Sequence, residues 1–143
     1  MFRAVKRYAK GVKADNKAKI LTKIEAGDRF SVTTDEYTST QNKRFSCVSL
    51  HPPSGRPIKI GMMRIHGSLP AEKAAADLRG KINEYGLKED HHIVANTTDG
   101  AAVMVAMGRE FRAIHQLCFS HGIHLAGKPL LARFFSKKSF SLF

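Results

Sequence analysis

From Asp15 to Ala26 the apolar positions recur at helical spacing: Ala18, Ile20, Leu21 and Ile24 fall on one stripe, with lysines on the other side. Asp15 or Asn16 can cap the start of this helix, and Gly27 supplies a left-handed stop. The period then changes. Arg29 to Asp35 alternates and is rich in β-branched residues, which predicts a strand that ends at an aspartate. Phe45 to Leu50 predicts a second strand, which the turn His51-Pro52-Pro53-Ser54-Gly55 cannot continue. Pro57 to His66 predicts a third, joined by a short antiparallel connection.

A helix follows over Pro70 to Tyr85, with Ala74, Leu78, Ile82 and Tyr85 on one face, Pro70 in its first turn and Gly86 at its end. His92 to Thr98 predicts a fourth strand, again leading to an aspartate, Asp99. Gly100 to Phe111 is small and apolar, as a helix packed closely on a sheet would be, and Ile114 to Phe119 predicts a fifth strand. His121 to Ala126 reads as helical. The order β-β-β-α-β-α-β predicts an α/β fold with a mixed sheet. Three stretches are expected: a basic segment over 1–29 with its helix at about 15–26, a folded domain over 30–126, and a Phe-, Ser- and Lys-rich tail over 127–143 without clear period, expected to be disordered.

Composition adds two constraints. With 143 residues, 43% hydrophobic and 25% charged, the chain suits one globular domain. No window approaches the ~18 apolar residues of a membrane span, and the basic start has no apolar core of a secretory signal. Two cysteines, Cys47 and Cys118, make no disulfide framework, and they predict reduced thiols in an intracellular protein. Charge is the more informative quantity. Lys and Arg number 24 against 12 Asp and Glu, and they are unevenly placed. Residues 1–29 carry nine basic and three acidic residues, 30–108 nine and eight, and 109–143 six and one. A nearly neutral middle between two basic ends predicts a polyanionic partner, DNA before others, bound through release of phosphate counterions.

The two aspartates carry the candidate chemistry. A right-handed crossover from the third strand through the helix sets the fourth strand beside the first. Asp35 and Asp99 then lie at the carboxyl ends of neighbouring strands, the usual place for a site in an α/β sheet. Paired carboxylates suit Mg²⁺, and two such ions ~3.5–4 Å apart clamp both oxygens of a phosphoryl displacement. Each aspartate also has a structural reading: Asp35 as a cap or turn, and Asp99-Gly100 as a hairpin pair. Spacing alone leaves these open.

The segment Ser31-Val32-Thr33-Thr34-Asp35-Glu36-Tyr37-Thr38-Ser39 resembles the S-L-T-T-D-x-W-T-S signature of hAT-superfamily transposases and of the BED zinc-finger proteins derived from them. Ile93 to Met104, with Thr98-Asp99-Gly100-Ala101, is similar to that family's T-D-N-A-x-N-M junction, and Leu117-Cys118-Phe119-Ser120-His121-Gly122-Ile123-His124-Leu125 to its C-x-x-H-x-L-N-L element. The three occur in family order, and the resemblance covers about residues 16–126. Tyr37 stands where Trp is usual, Gly100 and Val103 replace two Asn, and the BED finger expected upstream does not appear. The resemblance implies a ribonuclease-H-like core whose metal ligands are two Asp and a distant Glu. The Asp correspond to Asp35 and Asp99; the Glu lies in the family beyond a helical insertion, and the last acidic residue here, Glu110, comes too early to be it.

The expectation is therefore a transposase-derived, DNA-binding catalytic-core fragment in which Asp35 and Asp99 hold Mg²⁺ weakly and which neither cuts nor joins DNA. Nuclear localisation follows from the resemblance. Two rivals stand beside it: a domesticated DNA-binding or dimerising module without chemistry, and a metal-dependent nuclease completed by another chain. Cys118 and His121, with His115 and His124 near, invite a zinc reading, but a structural zinc needs four ligands, so a packing role is expected and zinc is not. Phe134, Phe135, Phe140 and Phe143 could stack on bases, but an exposed tail is the favoured reading.

Overall fold

The computed structural model describes residues 2–66 and 70–127. Its first element, α1 (Phe2–Glu25), starts thirteen residues before the expected Asp15. In the first three turns the apolar ridge is thin, Val5, Tyr8 and Val12 among closely spaced Lys and Arg, and it buries little. Ala, Lys and Arg there have strong intrinsic helix preference, which suffices once the following turns are anchored. Gly27 ends the helix as expected, at φ +84°. Its N–H donates to Ile24 O and that of Asp28 to Lys23 O, the paired bonds of a Schellman stop that only a residue free of a Cβ adopts without strain.

Five strands make one sheet. They are β1 (Phe30–Thr38), β2 (Arg44–His51), β3 (Ile58–Ile65), β4 (Ile93–Thr98) and β5 (Ile114–Leu117), in the order β3-β2-β1-β4-β5. The first three pair antiparallel, β4 runs parallel to β1, and β5 parallel to β4. This is the mixed α/β sheet expected of a ribonuclease-H-like fold, with β1 at its centre. Between β3 and β4 lie α2 (Ala71–Asn83) and the single turn α3 (Glu89–His92), whose last residue, His92, is helical and not the expected start of the fourth strand. Between β4 and β5 lies α4 (Ala102–Glu110), and residues 119–127 are helical again. The expected tail falls almost wholly on residues 128–143, outside those described.

Alternation gives the sheet two unlike faces. Phe30, Val32, Val48, Leu50 and Ile60 are at most 1% exposed, and they pack with Ala74, Ala75, Leu78 and Ile82 of α2 and Met104 and Met107 of α4. None of Ser31, Thr33, Cys47, Ser49, Ala95, Thr97 and Gln116 on the other face is buried. That face is polar, and Thr33 Oγ1 meets His51 Nε2 across it at 2.9 Å.

Only the second half of α1 belongs to this core. Ile20 is fully buried and Ile24 packs beside it, while Asn16 donates to Lys59 O and Lys13 bonds Glu84 at 2.5 Å. Val5, Tyr8 and Val12 are 60%, 75% and 39% exposed. Burial therefore stops near Lys13, and residues 3–12 project beyond the core.

Truncation should separate the two halves of α1. Ile20→Ala is expected to cost about 2–5 kcal/mol in urea unfolding, because it leaves a cavity in a packed core. Tyr8→Ala should stay within about 0.5 kcal/mol of the parent. Equal losses at both positions would show that the projecting half is packed after all.

Candidate functional site: two aspartates at the end of a parallel ladder

In the β1–β4 ladder, beyond a register shift after Phe30, Ser31 pairs with Ala95, Val32 with Asn96 and Thr33 with Thr97. Two further steps in the same register bring Asp35 level with Asp99. Both follow Ser31/Thr33 and Ala95/Thr97 in the alternation, so both belong to the polar side of the sheet. Asp35 is exposed and Asp99 half-buried.

One detail differs from expectation. β1 does not end at Asp35 but runs on to Thr38, with Asp35 opposite Cys47 of β2 and Tyr37 opposite Phe45. The parallel ladder to β4 stops at Thr33, so Asp35 sits just beyond it, on a strand still held from the other side. The extension is held by β2 and by the Glu36–Arg44 pair, a tertiary contact that alternation within one strand cannot reveal. Glu36 accepts from Arg44 Nε at 2.5 Å and Nη2 at 3.0 Å, which holds its carboxyl below the ordinary range. It follows Asp35 directly and so points to the opposite face. Glu36 therefore does not join the aspartate pair.

Asp99 follows the last residue of β4 and opens the turn into α4. Its Oδ1 accepts from Ala101 N at 3.1 Å, a side-chain turn that starts the helix and decides against the hairpin reading. Behind it, the fully buried Thr98 donates its hydroxyl to Asp99 O at 3.1 Å and meets His115 Nε2 at 2.9 Å. The His115 ring lies directly on Gly108 of α4: a Cβ added there would sit 2.1 Å from the imidazole Cδ2. Neighbouring Asn96 is fully buried and donates to Gly108 O at 3.3 Å. The position of Asp99 is thus fixed from below by β5 and α4 together. The sequence pointed only faintly to this brace, through the run of small residues in Gly100–Phe111.

Two carboxylates brought together there would be a donor set that suits a hard cation keeping several waters. Among the described residues no three of His, Cys, Asp and Glu gather as a metal-holding group. Cys118 is a half-buried free thiol whose N–H donates to Thr98 O at 2.8 Å, and its carbonyl accepts from Gly122 N at 3.1 Å. His121 is half-buried on the helical turn after it. Of the two neighbouring histidines, His91 is exposed, and His92 Nδ1 accepts from Lys88 N at 2.8 Å, closing α3. No helix among the described residues is long and apolar enough to cross a membrane.

Gly108→Ala tests the brace. Helix preference alone would favour Ala by about 1 kcal/mol. The overlap with a ring already tied to Thr98 should outweigh this, for a net loss of about 1–2 kcal/mol. His115→Ala in the same chain should recover most of the loss. If Gly108→Ala is as stable as the parent, the ring does not rest there.

No protein-family model matches the chain, and no curated protein matches it; the chemistry of the site rests on its own residues.

Proposed function

We propose that the chain is a transposase-derived module of the hAT kind that binds DNA and does not cut or join it. The observation that carries this reading is the parallel pairing of β1 and β4 in a mixed sheet, with Asp35 and Asp99 each just beyond the last pair of that ladder. A net charge of +12 supports a polyanionic partner. The compartment this reading calls for is the nucleus.

In this reading Asp35 and Asp99 hold one Mg²⁺. When bound, such an ion polarises a phosphoryl oxygen and makes a coordinated water more acidic. The protein's own part is positional. β2 steadies Asp35 from one side, and the Thr98–His115–Gly108 contact steadies Asp99 from the other. Among the described residues no third carboxylate joins this arrangement. Glu36 faces away in a bidentate ion pair, and Glu110 closes α4, its carbonyl accepting from Arg79 at 2.6 Å. Two ions side by side need a third anionic ligand to offset their repulsion, and each ~1.4 kcal/mol lost from transition-state stabilisation is tenfold in rate.

One contact favours a second reading, a DNA-binding or dimerising module without metal. Asp99 already has a structural task, starting α4 through Ala101. The metal titration below decides between them.

The purified chain should show no Mg²⁺- or Mn²⁺-dependent nicking of supercoiled DNA above an Asp35→Ala, Asp99→Ala control. Mn²⁺ should bind weakly at a single site and be lost in that control. Metal-dependent nicking that disappears in the control would instead make the chain a nuclease, and Mn²⁺ binding unchanged in the control would favour the module without metal.

A further inference from the structure

The free half of α1 carries an ordered charge pattern. At 3.6 residues per turn, Arg3, Lys6, Arg7, Lys10, Lys13 and Lys17 fall within an arc of about 120°. The first acidic residue of the helix is Asp15, which lies off this arc. Lys13 is engaged with Glu84, whose contact raises the lysine's pKa. The other five are exposed and have no acidic partner among the described residues. We infer that α1 is a nucleic-acid arm, laying Arg3, Lys6, Arg7, Lys10 and Lys17 along the phosphates of a duplex, separate from the aspartate pair. This rests on the DNA-binding reading and assigns it to one helix face.

Charge and shape choose the partner. A 24-residue helix is a rod about 36 Å long, and its free end has the width that the major groove of a duplex admits, about 12 Å. Five cations on one face without an anion would stay at high potential unless a polyanion met them. A single strand is a poorer match, since its binding sites interleave cations with aromatics for base stacking, and none of the stripe positions is aromatic. An anionic membrane is poorer too. The opposite ridge offers only Val5, Tyr8 and Val12, whereas an interfacial helix buries a broad face of Trp, Phe and Leu.

The test uses the full chain and a short mixed-sequence DNA duplex, titrated between about 50 and 200 mM salt. Each phosphate contact contributes about 0.9 to the slope of log affinity against log salt. Arg3→Gln, Lys6→Gln, Arg7→Gln and Lys10→Gln together should therefore flatten the slope by about 3–4. A charge-matched variant at exposed positions off the stripe, Lys19→Gln, Arg56→Gln, Lys88→Gln and Arg109→Gln, should change it by less than half as much. Circular dichroism should show both variants folded, since none of these side chains is in the core. A steep parent slope left unchanged by the stripe variant, or reduced equally by both, overturns the arm while leaving DNA binding intact. A parent with no salt-sensitive duplex binding overturns the DNA reading and the arm with it. Binding to phosphatidylserine vesicles but not to duplex would mean that the helix is a membrane-surface element instead.

Discussion

Parallel strands cannot be joined by a tight turn, so the ladder between β1 and β4 obliges the chain to leave the sheet, cross one face and return. The segment that does so, α2 with the turn of α3, is also what makes that face a core. Its Ala74, Ala75, Leu78 and Ile82 seal Val32, Val48, Leu50 and Ile60 from water. Handedness then leaves one place for β4, on the free side of β1. From this follow the two-faced sheet, the location of α4, and the level at which Asp35 and Asp99 stand. Weakening the α2 packing would disturb the aspartate pair without touching either residue.

Much of this was legible in the residues because two periods alternate along the chain with clear stops between them. The strands around Val32, Val48, Ile60 and Val94 declared themselves, and Gly27 and Gly86 marked the ends of two helices at positive φ. Three features were hidden, each for a physical reason. The start of α1 stays exposed, and its thin ridge of Val5, Tyr8 and Val12 is outnumbered by basic residues. The end of β1 depends on Arg44 and Phe45 of another strand, which no local pattern encodes. The brace behind Asp99 depends on His115 meeting Gly108, and that contact exists only once β5 lies beside β4. Adjacency of the two aspartates could be argued from the crossover rule, whereas their common level needed the register itself.

In the proposed reading, the polar face and the basic helix would meet DNA in different ways. On the sheet, Thr33, Cys47 and Thr97 beside the two aspartates are uncharged, so two carboxylates there would repel a phosphate unless a cation intervened. On α1 the potential has the opposite sign. A duplex held by the helix as proposed would therefore not be drawn onto the aspartates by charge alone, in keeping with the proposal that the chain binds DNA without cutting it.

The uneven anchoring of α1 also sets up a gradient of local stability along a single continuous helix. Amides near Ile20 open only when the core does, so their exchange with solvent deuterium should report the global unfolding free energy. Those from Arg3 to Val12 are held only by intrahelical bonds, and an isolated stretch of that length is marginal in water. They should exchange orders of magnitude faster by fraying. The helix is thus two materials in one element: a rigid strut where it crosses β3, and a pliant end that can adapt to whatever it grips.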